Sequence, residues 1–253
     1  MSAVPASIGD PAPPRPSVAE MRERFRSGKA ALLAHFAASR ATAPAATSLL
    51  RALARHVDQA LADLWSHAGM PAGAALLAVG GYGRGELFPY SDVDVLVLLP
   101  NGQDASDAVR GTIEGFITAC WDIGLEIGSS VRTIDECLLE ARADVTVQTA
   151  LLESRLLIGA RRMFNTFRRV NTEAMDPRAF LRAKTFEMRQ RQVKYEDTPY
   201  ALEPNCKESP GGLRDLQVVT WISRAAGLGR TWSEMAANGL LTAFEVKQLQ
   251  RQE

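Results

Sequence analysis

Two carboxylates stand two residues apart at the head of an apolar run, Asp92-Val93-Asp94 followed by Val95-Leu96-Val97-Leu98-Leu99. Positions two apart on a strand share a face, so on a strand from Asp92 the pair lies side by side. A carboxylate set against a run buried on both faces calls for a cation. A divalent metal bridging the pair meets that need, and two hard ions about 3.5–4 Å apart support in-line displacement at phosphorus. The alternative gives Ser91 and Asp92 to a turn and leaves Asp94 alone on the strand. Upstream lies Gly80-Gly81-Tyr82-Gly83-Arg84-Gly85, four glycines in six residues. Such a stretch curls with several N–H groups pointing one way, as loops and helix N-termini that hold phosphate oxygens do. It fits neither G-x-x-x-x-G-K-[ST] nor G-x-G-x-x-G followed by a long helix.

These residues need a frame. Leu76–Val79 and Val93–Leu99 are short apolar runs ended by Gly80-Gly81 and by Pro100-Asn101-Gly102, the pattern of buried strands. Leu125–Arg132 is a third strand, with helices over Asp104–Ile123 and Asp135–Ala141, and this alternation predicts an α/β layer. Before it, a capping box Ser17-x-x-Glu20 opens a helix carrying Met21, Phe25, Leu32 and Phe36. A break near Ala41–Ser48 precedes a second helix with Leu49, Leu53, Val57, Leu61 and Leu64 in register and Gly69 as its stop. His35, His56 and His67 all fall on these two helices, at spacings that match no metal motif. After Asp144 the pattern is helical: 144–155, 161–173, 178–195, 213–226, and a last helix opened by Thr242-x-x-Glu245. That helix is still polar and periodic at Glu253, so the chain is expected to be a piece of something longer.

With 253 residues, 46% of them apolar, the composition is that of a globular protein able to bury a core. The 29 basic and 29 acidic side chains cancel, which gives no general pull toward nucleic acid or membrane. Residues 1–150 hold 12 basic and 17 acidic side chains, a net of −5; residues 151–253 hold 17 and 12, a net of +5. A basic second part facing an acidic first part could accept a polyanion held on a metal, or be solvated helix surface. Three cysteines without C-x-x-C spacing argue against a disulfide framework and a zinc site, and predict a cytoplasmic protein. The proline-rich start has no apolar core, so no signal peptide is expected there, and no apolar run approaches membrane-spanning length. The expected divisions are a disordered tail at 1–16, N-terminal helices at 17–70, a catalytic domain at 71–160 and a truncated helical domain at 161–253.

The string Gly80-Gly81, Arg84, Glu86, Ser91 and Asp92-x-Asp94 resembles the signature of the polymerase-beta-type nucleotidyltransferase superfamily. GGYGRGELFPYSDVDVLVL is closer still to the N-terminal domain of the PII-protein uridylyltransferase/uridylyl-removing enzymes. Trp121–Thr133, Asp144–Gly159 and Leu202–Gln217 agree with that resemblance, which covers about residues 74–217. It implies an α/β fold: a polymerase-beta-like nucleotidyltransferase core with a small mixed sheet, N-terminal helices and a C-terminal helical domain. It also implies transfer of UMP from UTP to a tyrosine of the small nitrogen-signalling protein PII, with neither nucleic acid nor membrane as partner. The family's hydrolytic activity depends on a His-Asp metal domain. None of the three histidines is followed by Asp, and no room is left for the family's glutamine-sensing domains, so a transferase fragment is expected.

By resemblance, Asp92 and Asp94 hold Mg²⁺ or Mn²⁺, and Gly80, Gly81 and Ser91 contact the nucleotide's β- and γ-phosphates. Arg84 is either a phosphate partner or a surface loop cation. A third carboxylate usually helps deprotonate the attacking hydroxyl. Glu126, on the Leu125–Arg132 strand, and Asp144 are both candidates, and Asp144 could equally be an N-cap. Lys207 and Arg214 flank Ser209-Pro210-Gly211-Gly212, a turn leading into a helix, which suits a triphosphate site. The rival reading is a loop with an Arg214–Asp215 surface pairing. Arg182, Lys184, Arg189, Arg191 and Lys194 are expected on a solvated helix face. Two functional alternatives remain open: a nucleotidyltransferase with another acceptor, and a non-catalytic nucleotide-binding regulatory module.

Overall fold

Ser17 and Glu20 cap each other's backbone and start helix α1 (Val18–Ala38) in the computed structural model, which describes residues 16–102, 106–195, 203 and 205–252. Residues 1–15 of the expected tail at 1–16, Asp104, Leu202 and Glu253 lie outside the described residues. Helix α2 (Ala43–Ala68) begins earlier than the expected break at Ala41–Ser48 allows. Thr42 caps it, and Pro44 sits in its first turn, where a missing N–H costs no hydrogen bond. Gly69 ends α2 at φ 68°.

Strand β1 (Ala75–Ala78) runs into a one-turn helix, α3 (Gly80–Gly83), and then a loop to strand β2 (Val93–Leu99). Helix α4 (Asp107–Asp122), strand β3 (Ile127–Thr133), and helices α5 (Ile134–Ala143) and α6 (Val145–Leu152) follow. The chain then forms a strand, β4 (Arg155–Gly159), where the sequence reading expected none. It pairs antiparallel with β1, far upstream, and so completes a sheet in the order β3-β2-β1-β4. The β1–β2 pair is antiparallel and the β2–β3 pair parallel, so the sheet is mixed.

Alternation along the strands divides the core. Leu76, Val93, Val95 and Val97 pack against α1, α2 and α4, while Leu77, Leu96 and Leu98 pack against α5 and Phe164 and Phe167 of helix α7 (Arg161–Glu173). Beyond the sheet, helices α8 (Pro177–Lys194) and α9 (Leu213–Ala225) bury Phe180, Val218 and Trp221 together. A short helix not foreseen from sequence, α10 (Trp232–Ala237), packs Trp232 and Met235 on Val246 of α11 (Ala243–Gln252). The fold is thus α/β, a four-stranded mixed sheet preceded by helices and followed by a helical region. No helix among the described residues is long and apolar enough to cross a membrane.

Candidate active site

Asp94 lies near the start of β2, paired with Gly128 of β3. A Cβ on Gly128 would stand 2.5 Å from Asp94 Oδ1, and one on Gly80 would stand 3.5 Å from Oδ2. The carboxylate therefore occupies a slot walled by two glycines, and Gly80 is further held at φ 55°, a conformation L side chains rarely adopt. Burial, and then the charge of Asp92, raise the Asp94 carboxyl above its ordinary range. Behind it the run from Val95 to Leu99 is buried. The Val79 N–H donates to the Asp94 carbonyl at 3.0 Å, which fixes the glycine turn beside the aspartates.

Long-range contacts lock that turn. A Cβ on Gly83 would overlap the Glu153 carbonyl oxygen at the end of α6. Arg84 Nη1 donates to both Glu153 carboxylate oxygens, at 2.9 and 2.8 Å, and Glu153 is only 5% exposed. Arg84 is thus a brace for the turn. The buried Tyr82 hydroxyl donates to Asp58 of α2. Asp58 also accepts from Arg155 of β4 at 2.7 and 3.1 Å, and the Arg155 guanidinium lies 5.4 Å from the Tyr82 ring centre. Burial and then the Asp58 charge push the Tyr82 phenol far above its ordinary range, so it serves as a neutral donor. Asp58, Glu153 and Arg155 do not stand out in the sequence; the available signal is a charge beside an apolar helix stripe and a tyrosine among glycines.

The other candidate residues are distributed around this centre. The Ser91 N–H closes a turn on the Phe88 carbonyl at 3.1 Å, and Ser91 and Glu126 line a hollow of about 130 Å³. Glu126 is exposed, its carbonyl accepts from Val93 N–H, and strand alternation puts its side chain on the Gly128 face. Asp144 is the N-cap of α6, its Oδ1 accepting from Thr146 N–H at 2.6 Å. Among the described residues no three His, Cys, Asp or Glu side chains form a metal-holding group.

Arg214 is engaged within the protein. Its guanidinium bonds Gln217 at 2.9 Å and Glu208 at 3.0 Å and covers the Trp221 ring. The Arg214–Asp215 pairing considered from sequence is replaced: Asp215 pairs with Arg191 and accepts from Gly211 N–H. Lys207 is exposed on the same turn. The expectation of a solvated basic face on α8 holds for Arg182, Arg189 and Lys194, which are exposed, and is corrected for Lys184 and Arg191. Lys184 is 2% exposed, bonds Glu187 at 2.7 Å and lies over Trp221, while Arg191 reaches back to α9.

A glycine turn braced beside two aspartates at the end of a small mixed sheet is the arrangement of a nucleotidyltransferase core. The model of the nucleotidyltransferase domain family matches residues 55–148, and that of the GlnD PII-uridylyltransferase family matches residues 179–253. The bifunctional uridylyltransferase/uridylyl-removing enzyme of Cupriavidus pinatubonensis is 55% identical over 250 residues, covering 99% of this chain and 28% of that protein. Its counterpart in Burkholderia mallei is 52% identical over 248 residues, 98% of this chain and 28% of the relative. That of Burkholderia vietnamiensis is 53% identical over 243 residues, 96% and 28%. Over nearly its whole length the chain is similar to these uridylyltransferase/uridylyl-removing enzymes, and it spans about 28% of the length of the curated relatives it matches.

Proposed function

We propose that the chain transfers UMP from UTP to a tyrosine hydroxyl of a PII signalling protein and releases diphosphate, with Mg²⁺ or Mn²⁺ held by Asp92 and Asp94. The observation that carries the reading is the Asp94 carboxylate, set in a glycine-walled slot with its ionised form disfavoured by burial and by Asp92. A divalent cation is the partner such a pair lacks, so the donor set fits the ion. Bound there, the ion would acidify the attacking hydroxyl and neutralise charge on the leaving diphosphate.

The chain's own residues supply position. Gly80 and Gly81 bring bare backbone beside Asp94, which leaves room for phosphate oxygens, and Ser91 offers a hydroxyl at the entrance to β2. Arg84 and Tyr82 hold the turn from behind through Glu153 and Asp58. Burial pushes the Cys120 and Cys137 thiols up to about 12, which leaves them inert in the fold.

Asp92→Asn and Asp94→Asn are expected to abolish labelling of PII by UTP while the melting temperature stays equal or rises, because like-charge repulsion is relieved. A double variant that labels PII at the wild-type rate would remove the metal assignment.

A further inference from the structure

A cleft of about 1410 Å³ runs along the β4 side of the sheet, from the start of α2 past Arg84 to α9 and the loop before α10. Eight arginines and two carboxylates line it. Both carboxylates are taken, Glu153 by Arg84 and Glu86 by Arg51 at 3.8 Å, and Arg155 is held by Asp58. Among the described residues, no carboxylate forms an ion pair with Arg168 of α7, Arg224 of α9 or Arg230. These three also line an adjoining hollow of about 630 Å³, so they converge where the two spaces meet.

The convergence is costly without a ligand. Arg224 is half-buried, and burial, then the charge of Arg230, push its guanidinium down to about 10; Arg168 adds to the repulsion and Glu153 opposes it. Exposed like charges beside a half-buried guanidinium disfavour its charged form unless an anion joins them, and Glu234, the carboxylate lining the hollow, accepts from the Arg230 backbone N–H. Trp221, 4% exposed, lines the same cleft, and its buried indole N–H has no acceptor among the described residues. Planar guanidinium forks match phosphate oxygens in pairs, and a short phosphate chain concentrates enough charge to meet three of them in a space of this size. None of Gly80, Gly81, Asp92 or Asp94 lines the cleft or the hollow.

We propose that Arg168, Arg224 and Arg230 form a binding site for the phosphate groups of a small oligophosphate ligand, separate from the aspartate pair. This inference does not rest on the transferase reading and is tested by binding alone. Calorimetric titrations of the purified chain in EDTA would use sodium tripolyphosphate, UTP and a hexaglutamate peptide. Tripolyphosphate is expected to bind saturably to the wild type and to the Asp92→Asn/Asp94→Asn double variant. Arg168→Gln, Arg224→Gln and Arg230→Gln should each weaken it by about tenfold or more, and Arg189→Gln, exposed on α8 and outside the cleft, should leave it unchanged. Arg168 and Arg230 are exposed, so their variants keep the test sound if Arg224→Gln fails to fold. UTP binding tighter than tripolyphosphate through the same arginines assigns the site to a nucleotide; equal binding assigns it to phosphate groups alone. Equal loss in Arg189→Gln, loss in the aspartate double variant, or binding of hexaglutamate without tripolyphosphate overturns the proposal.

Discussion

A methyl group at position 128 would meet the space in which Asp94 holds Oδ1, so Gly128→Ala is a mutation that moves the carboxylate proposed to hold the metal without touching the core. Gly128 is exposed and sits in the regular β2–β3 register, and alanine is readily tolerated in such a strand. A displacement near 1 Å at a reacting group costs about a hundredfold in rate. Gly128→Ala is therefore expected to lower uridylyl transfer by about that factor with a melting temperature close to wild type; unchanged kinetics would show that the slot does not set the geometry. Arg84 gives the opposite signature. Removing it strands the Glu153 carboxylate, 5% exposed, without its bidentate partner. Breaking one side of a buried ion pair costs about 3–5 kcal/mol, discounted here because the Arg84 side chain is 30% exposed and Arg224 lies within electrostatic reach of Glu153. Chemical denaturation should show Arg84→Ala less stable than Glu153→Gln, because a stranded buried carboxylate is worse placed than a cation that can turn to water.

Three helices, α1, α5 and α11, open on the same device, in which Ser17, Thr133 or Thr242 exchanges hydrogen bonds with Glu20, Glu136 or Glu245. In each glutamate the backbone hydrogen bond, and then the side-chain bond from the capping residue, hold the carboxyl below its ordinary 4.5. A carboxyl lowered by folding stabilises the native state fully above its unfolded value, and that contribution is lost as pH falls through the folded value. Melting temperature should thus decline below about pH 4.5, and the triple Glu→Gln variant should show a shallower decline; parallel curves would mean the caps carry no ionic part. Elements whose signal is local were legible in the sequence. The unbroken Val and Leu of β2 gave both of its ends, and α7 matched its expected span. Strand β4 was not legible, because Arg-Leu-Leu-Ile-Gly has no alternation and its strand character comes from pairing with β1. Helix α10 has six residues, too few to show a period. On α8, charge alone suggested solvent, whereas Lys184 is drawn inward by the Trp221 ring and Glu187.

At the scale of the whole molecule, the glycine turn and the aspartates were readable because they are contiguous, while their braces join positions as far apart as Asp58 and Arg155. The same scale decides which of the relatives' two named activities this chain is expected to show. In the proposed reaction, transfer and removal are different displacements at phosphorus: transfer would attack UTP with a tyrosine oxygen, and removal would attack the uridylylated tyrosine with water. The family resemblance assigns removal to a His-Asp metal site. Here His56 stacks on Phe25 with ring centres 5.2 Å apart and bonds its carbonyl at 2.9 Å, which commits it to packing. His35 and His67 lie in the last turns of α1 and α2, and no histidine precedes an aspartate. The 253-residue chain, incubated with uridylylated PII and Mn²⁺, is therefore expected to release no UMP. Running the transfer backwards is not a confounder, since that reaction needs diphosphate and yields UTP. Chromatography of the nucleotide product with and without added diphosphate separates the cases. UTP formed only with diphosphate agrees with a lone transferase centre, and UMP formed without it would place a hydrolytic site within these residues.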